Sequence, residues 1–293
     1  MSKIAKDMMS WMTMNRNDVM NKFHNINGAF RDFKDEEKDF VYIEGSRKDP
    51  VLLIAHADTV WDNNKKTVSP KLKNGIIYSE NDIGIGADDR AGCWILWQLR
   101  KLGHSILITS GEEKGCKTSR WMEADDEYWK EELQKHQFAV QFDRKGYKDI
   151  VCYDVGTDDF MDYVANKSGY KSVRGSNTDV AVICDDICGV NISTGYYDEH
   201  TENERLVVDH TLNTMIMAKH WLSEDKIPKF KFKFSDKHNP KYTNNNSYTG
   251  YTATTGKYKK FSDLIECPSC KSDIEFSLLI ENMLECPSCG NIL

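Results

Sequence analysis

The chain has 293 residues, a net charge of −7 and an apolar fraction of 40%. That length suits one large domain with a small appendage, and charged residues at 29% argue against a membrane protein. No apolar run approaches the roughly 20 residues needed to span a bilayer.

The first segment, "MSKIAKDMMSWMTMNRNDVM", is rich in methionine but carries charges throughout. It reads as a short amphipathic helix rather than a secretory signal. From there to about Asp225, β-like runs alternate with helical patterns. "FVYIEG" (40–45), "VLLIAH" (51–56), "SILITS" (105–110), "FAVQFD" (138–143) and "GVNIST" (189–194) read as strands. "DRAGCWILWQLRKLG" (89–103), "DDEYWKEELQKH" (125–136), "DDFMDYVANKSG" (158–169) and "VVDHTLNTMIMAKHWLSED" (207–225) read as helices. Such alternation predicts an α/β fold, a mostly parallel mixed sheet with helices on both faces. Sheets of this kind bind ligands beyond the carboxyl ends of their strands.

After Asp225 the texture changes to Lys, Asn, Thr and Tyr. Residues 226–262 read as a linker, with "KFKFKF" able to form an edge strand blunted by its lysines. Its interleaved lysines and aromatics could meet single-stranded nucleic acid. The acidic balance of the rest argues against that partner.

Nine cysteines, an odd number, without a signal sequence indicate a reducing, cytoplasmic setting. Four of them form two C-x-x-C pairs, Cys267 with Cys270 and Cys286 with Cys289, fifteen residues apart. Two such knuckles make a closed tetrahedral zinc site, so 263–293 reads as a zinc ribbon with a small hairpin between the knuckles. So short a module buries little core, and one structural zinc would supply its folding energy. Its excess of acid over base favours protein contact or self-association over nucleic acid.

The strand ends carry the chemistry. Strand 51–56 runs into His56 and, two residues on, Asp58. "IGADDRAG" places Asp88 and Asp89 just before a helix. "ITSGEEKGC" places Glu112 and Glu113 after strand 105–110. Asp143 ends strand 138–143, and His200 follows strand 189–194 by six residues. Singly, each has an ordinary explanation: a polar turn, a helix N-cap, a solvated surface pair or a loop histidine. Five such endings in chain order point to a metal centre. Zinc takes imidazole nitrogen and carboxylate oxygen. Two ions roughly 3.5–4 Å apart can share a bridging carboxylate and a water. Two histidines and three carboxylates supply one of each per ion with one shared. Adjacent Glu112 and Glu113 can then divide the roles of ligand and proton acceptor.

As a set, "HADTV", "GADDRAGC" and "GEEKG" resemble motifs of the co-catalytic dinuclear zinc exopeptidases, which include leucyl, glutamyl and tetrahedral aminopeptidases and peptidase T. The resemblance covers roughly residues 40–225. It implies a peptidase domain over 1–225, holding two divalent ions, zinc or else cobalt or manganese. It implies that His56 and Asp143 bind one ion, Glu113 and His200 the other, with Asp88 bridging. Glu112 would be the general base and Asp58 would hold the far nitrogen of His56. It further implies a cis peptide between Asp88 and Asp89. His210 is the rival for the last ligand, with a capping or surface role the better reading.

The chain departs from those relatives in spacing. His56 to Asp88, and Asp143 to His200, leave no room for their inserted domains, so a compact body without a lid is expected. "VRGSNTDVAVI" sits where those relatives carry a serine/threonine–aspartate loop near the substrate, so the resemblance implies Asn177, Thr178 and Asp179 as substrate contacts, although an Asx turn explains them equally. Three functions stay open: an exopeptidase, most readily an aminopeptidase; a deacylase or amidohydrolase on small amides; or a non-enzymatic module whose ribbon and basic linker bind a partner.

Overall fold

The computed structural model describes residues 2–62, 67–175 and 177–232, together with 264–266, 270, 272–275 and 288–289. The chain opens with helices α1 (Lys3–Met12) and α2 (Arg16–His24), then strands β1 (Ala29–Phe33), β2 (Asp39–Ile43) and β3 (Leu52–His56). Next come β4 (Pro70–Lys73), β5 (Ile76–Ser79), α3 (Ala87–Leu99), β6 (Ser105–Thr109), α4 (Lys117–Ala124) and α5 (Glu127–Leu133). They are followed by β7 (Ala139–Arg144), β8 (Asp149–Val151), α6 (Asp158–Ser168), β9 (Lys171–Ser172) and α7 (Asp179–Ile183). Last are β10 (Gly189–Ser193), β11 (Tyr196–Tyr197), β12 (Arg205–Val207), α8 (Val208–Leu222), β13 (Leu264–Glu266) and β14 (Asp273–Glu275).

An eight-stranded sheet runs β1-β2-β6-β3-β7-β10-β8-β9. Its centre, β6-β3-β7-β10, is parallel, and antiparallel pairings flank it. The central strands read as unbroken apolar runs because both faces are covered: every residue of β3, β6 and β10 is buried. Leu52, Leu53 and Ile54 each contribute about 1.5–3 kcal/mol by leaving water. Helix α3 packs on β3 and β7 beside α1 and α8, while α4, α5 and α7 form a second group reaching β7 and β10. The predicted amphipathic N-terminal helix is α1, which buries Ile4, Ala5, Met8, Trp11 and Met12.

All five predicted strands and all four predicted helices are present, with ends shifted by a few residues. A second, antiparallel sheet, β11-β12-β5-β4, has no counterpart in the sequence reading. Its strands are two to four residues long and mostly half-exposed, too short to display a period. Residues expected to begin the linker belong to the body instead. Ile227 and Phe232 are buried, the Ile227 N–H donates to Asp49, and the Phe230 N–H donates to the Gln137 carbonyl. "KFKF" contributes one antiparallel bridge, Lys231 with Ile187, rather than a strand.

At the C-terminus, β13 pairs antiparallel with β14. The described hairpin therefore flanks the first C-x-x-C knuckle instead of lying between the two. Cys270 and Cys289 are exposed, whereas Cys267 and Cys286 lie outside the described residues, as does most of 226–262. Among the described residues, no helix is long and apolar enough to cross a membrane.

Candidate metal centre

Register brings the site together. β3 and β6 run level from Leu52↔Ser105 to His56↔Thr109. β3 and β7 pair from Leu52↔Ala139 to Ile54↔Gln141, so the same register brings Asp143 level with His56 two residues further on. Helix α3 begins directly beyond these ends. Asp88 and Asp89 have non-helical backbone angles, so the regular helix starts after them. Gly92 lets α3 lie against β7, since a Cβ there would fall 1.8 Å from the Phe142 carbonyl oxygen.

The two adjacent aspartates divide their work. Asp89 is the helix cap: its carboxylate accepts from the N–H of Gly92 at 2.8 Å and that of His56 at 3.3 Å. Asp88 faces the other way, between two imidazoles. Its Oδ1 lies 3.2 Å from His56 Nε2, and its Oδ2 lies 3.2 Å from His200 Nε2. The series continues outward on both sides, with Asp143 Oδ1 3.3 Å from His56 Nε2 and Glu113 Oε2 2.9 Å from His200 Nε2. The order in space is thus Asp143, His56, Asp88, His200, Glu113. His56 is fully buried, and His200 closes the site from an exposed position. The Asp88–Asp89 peptide is cis.

Asp58 lies behind His56 but holds it differently from expectation. The nearer partner of His56 Nδ1 is the Asp58 carbonyl oxygen at 2.9 Å, with the carboxylate at 3.5 Å. That carboxylate instead accepts the N–H groups of Glu112 and Glu113, at 3.3 and 3.2 Å, and so ties the glutamate pair to the histidine loop. The resulting direction at Nδ1 leaves Nε2 as the ring nitrogen aimed at Asp88 and Asp143.

The electrostatics record an excess of buried negative charge. Burial pushes Glu112 up to about 9, reinforced by Asp143. Asp143 is likewise pushed up by burial, to about 7, although His56 pulls against the rise. Burial disfavours protonation of His56, yet Asp143, Asp58 and Asp88 outweigh it and hold the ring well above its ordinary range. His200 is raised to about 10 by Asp88 and Glu113. Asp88 itself is held low against its burial by both imidazoles. Carboxylates and imidazoles crowded at these distances fit a pair of divalent cations by the chemistry of the donor set, since cations supply the missing positive charge.

The other sequence candidates divide. Thr178 Oγ1 donates to Asp143 Oδ2 at 2.8 Å, so it touches the site through Asp143. Asp179 is buried, with its oxygens accepting from Thr109 and Ser119. Asn177 is exposed. His210 stacks on Tyr147 at 4.0 Å and bonds Tyr197, away from Asp88.

Sequence reasoning passed over four residues that build the site. Gln141 Nε2 donates to Asp143 Oδ2, and Asn191 Oδ1 accepts the Asp143 N–H. The Tyr196 hydroxyl donates to the Asp143 carbonyl, and Glu204 accepts the Asp88 N–H. Gln141 and Asn191 left a readable signal, a polar residue inside a strand otherwise built of buried apolar ones. Glu204 left none, because it sits in an irregular loop.

No family model and no curated protein matches the sequence. Solved structures do match the fold. The aminopeptidase PepT from Bacillus cereus is similar at a TM-score of 0.57 and 15% identity, over 75% of this chain and 97% of that one. A tripeptidase from Staphylococcus aureus gives 0.56 and 14%, over 75% and 97%. The TET1 peptidase of Pyrococcus horikoshii, which assembles into a tetrahedron or a large octahedral shell, gives 0.55 and 13%, over 76% and 100%. At these identities the likeness shows a shared fold.

Proposed function

We propose that this chain is a metal-dependent exopeptidase, most readily an aminopeptidase, with a dinuclear centre and Glu112 as general base. One observation carries the reading. The Asp88 carboxylate offers one oxygen to each of two imidazoles, and each imidazole meets a further carboxylate. The fold shared with peptidases supports it. His56 and Asp143 would hold one ion, His200 and Glu113 the other, with Asp88 between. When bound, the ions supply Lewis acidity to the attacking water and the scissile carbonyl.

The chain's own residues do the rest. Glu112 is half-buried beside the carboxylate cluster, and its backbone is pinned by Asp58. It takes the proton of the attacking water and passes it to the leaving amine. Its raised proton affinity suits acceptance, and the added positive charge brings it down toward working pH. Asp143 is steadied by Gln141 and Thr178, and His56 by Asp58, so the site needs little rearrangement to act.

We assign residues 1–225 to the catalytic body, carried on through Phe232, then a linker to 262. The zinc-binding ribbon at 263–293 would hold one structural zinc through Cys267, Cys270, Cys286 and Cys289, and contact protein or a second copy. The test is metal analysis of the purified chain with a screen of aminoacyl anilides, short peptides and N-acyl amino acids. Two ions in the body, one in the ribbon and release of N-terminal residues are expected. Cleavage confined to N-acyl amino acids moves the assignment to a deacylase. A metal-replete chain inert on all three classes removes the enzymatic reading.

A further inference from the structure

Glu204 is a carboxylate hidden next to the candidate centre that neither ligation nor proton transfer uses. It is 1% exposed. Three N–H donors converge on it. The Asp88 N–H reaches Oε1 at 3.0 Å, and the Gly86 N–H and Trp61 Nε1–H reach Oε2 at 2.8 and 3.1 Å. All three partners donate, so the group serves as an acceptor at both oxygens. Gly84 forms the wall of the same niche, where a Cβ would fall 2.5 Å from Oε2 and from Trp61 Nε1.

The second sheet fixes this arrangement. β12 starts immediately after Glu204 and pairs with β5, which leads into the Gly84–Asp88 loop. His200, four residues before Glu204, meets the Asp88 carboxylate. One short segment therefore holds Asp88 at both ends, by its amide and by its side chain.

We infer that Glu204 is a positioning residue, a buried acceptor that fixes the main chain from Gly86 to Asp88 and thereby aims the Asp88 carboxylate between His56 and His200. The inference rests on the dinuclear reading above. Glu204 touches neither substrate nor cation, and it acts through the direction it imposes on Asp88.

Glu204→Gln keeps the shape but presents an amide NH2 to a backbone or indole N–H at one of the two oxygen positions. Metal-free wild type and variant are titrated with zinc by calorimetry, with circular dichroism to follow the fold and kcat and KM measured on an aminoacyl anilide. The expected result is an unchanged spectrum, zinc affinity at the body site lower by about tenfold or more, and a fall in kcat with KM little altered. A folded variant with wild-type affinity and kcat overturns the inference. If the variant does not fold, Trp61→Phe decides, since it removes one donor and keeps the acceptor. A two- to fivefold loss of affinity is then expected as an order-of-magnitude effect, and unchanged affinity overturns the inference. A wild-type chain that binds no zinc in its body removes the dinuclear reading itself, an outcome distinct from a variant that binds as well as wild type.

Discussion

Strand β3 has a buried histidine at each end, and the two rings have opposite fates. At its start, His104 Nδ1 accepts the Val51 N–H at 3.0 Å and Nε2 donates to the Leu222 carbonyl at 2.8 Å. Burial holds that ring down at about 4, and it stays neutral. At the other end, His56 is more deeply buried, yet three carboxylates hold it well above the ordinary range. Burial alone makes a structural histidine. Burial among carboxylates makes a place where positive charge must reside. The distinction separates the stabilising end of the sheet from the end that holds the candidate metal centre.

Substitutions at the carboxyl end of β3 should have the largest effects. Glu112→Gln removes the proposed proton acceptor and is expected to lower kcat roughly 10²- to 10⁴-fold, with fold and metal content unchanged. Full retained turnover removes Glu112 from the mechanism. On the dinuclear proposal, His56→Ala should cost the body at least one of two zinc equivalents, measured by elemental analysis, and with it the activity.

At the other end the same substitution should do the reverse. His104→Ala leaves the Val51 N–H and the Leu222 carbonyl without their partner and opens a cavity, for about 2–5 kcal/mol of stability by denaturant unfolding. Its metal content should equal wild type.

The pH dependence sharpens the contrast. His104 titrates near its ordinary 6.5 when unfolded and near 4 when folded. Between those values the unfolded chain holds more protons. Stability from this ring is therefore complete above about 6.5 and falls by about 3 kcal/mol as pH drops through 4. Unfolding curves at pH 7 and pH 4 for wild type and His104→Gln measure it, and the variant should lose that part of the slope. Smallest of all, His210→Ala should leave zinc binding intact and cost about 1 kcal/mol, the worth of its stack on Tyr147.

How much of this was legible followed a physical gradient. The central strands declared themselves because a strand covered on both faces needs an unbroken apolar run, as in "LLIAH" and "SILIT". The candidate ligands were legible because parallel strands end together, so polar residues at successive ends meet. A capping carboxylate at Asp88-Asp89 was also readable, since Asp is a favoured N-cap, but that Asp89 rather than Asp88 takes the task was not. The small sheet was not readable. β11 has two residues and β12 three, and neither length carries a period. The fate of 227–232 was hidden for another reason: lysine-rich composition suggested a linker, while the buried Ile227 and Phe232 anchors decided in favour of packing.

By itself, the sequence determined the layer order, the chemical types at the strand ends and the spacing of two C-x-x-C pairs, because hydrophobic period and residue type are local properties of the chain. Only the tertiary structure decided which oxygen faces which imidazole, that Asp179 is spent on Ser119 and Thr109, and that Glu204 lies under the Asp88 amide. Those outcomes depend on strand register and on a loop crossing between two sheets. Both are set by contacts between residues distant in sequence, which no local pattern encodes.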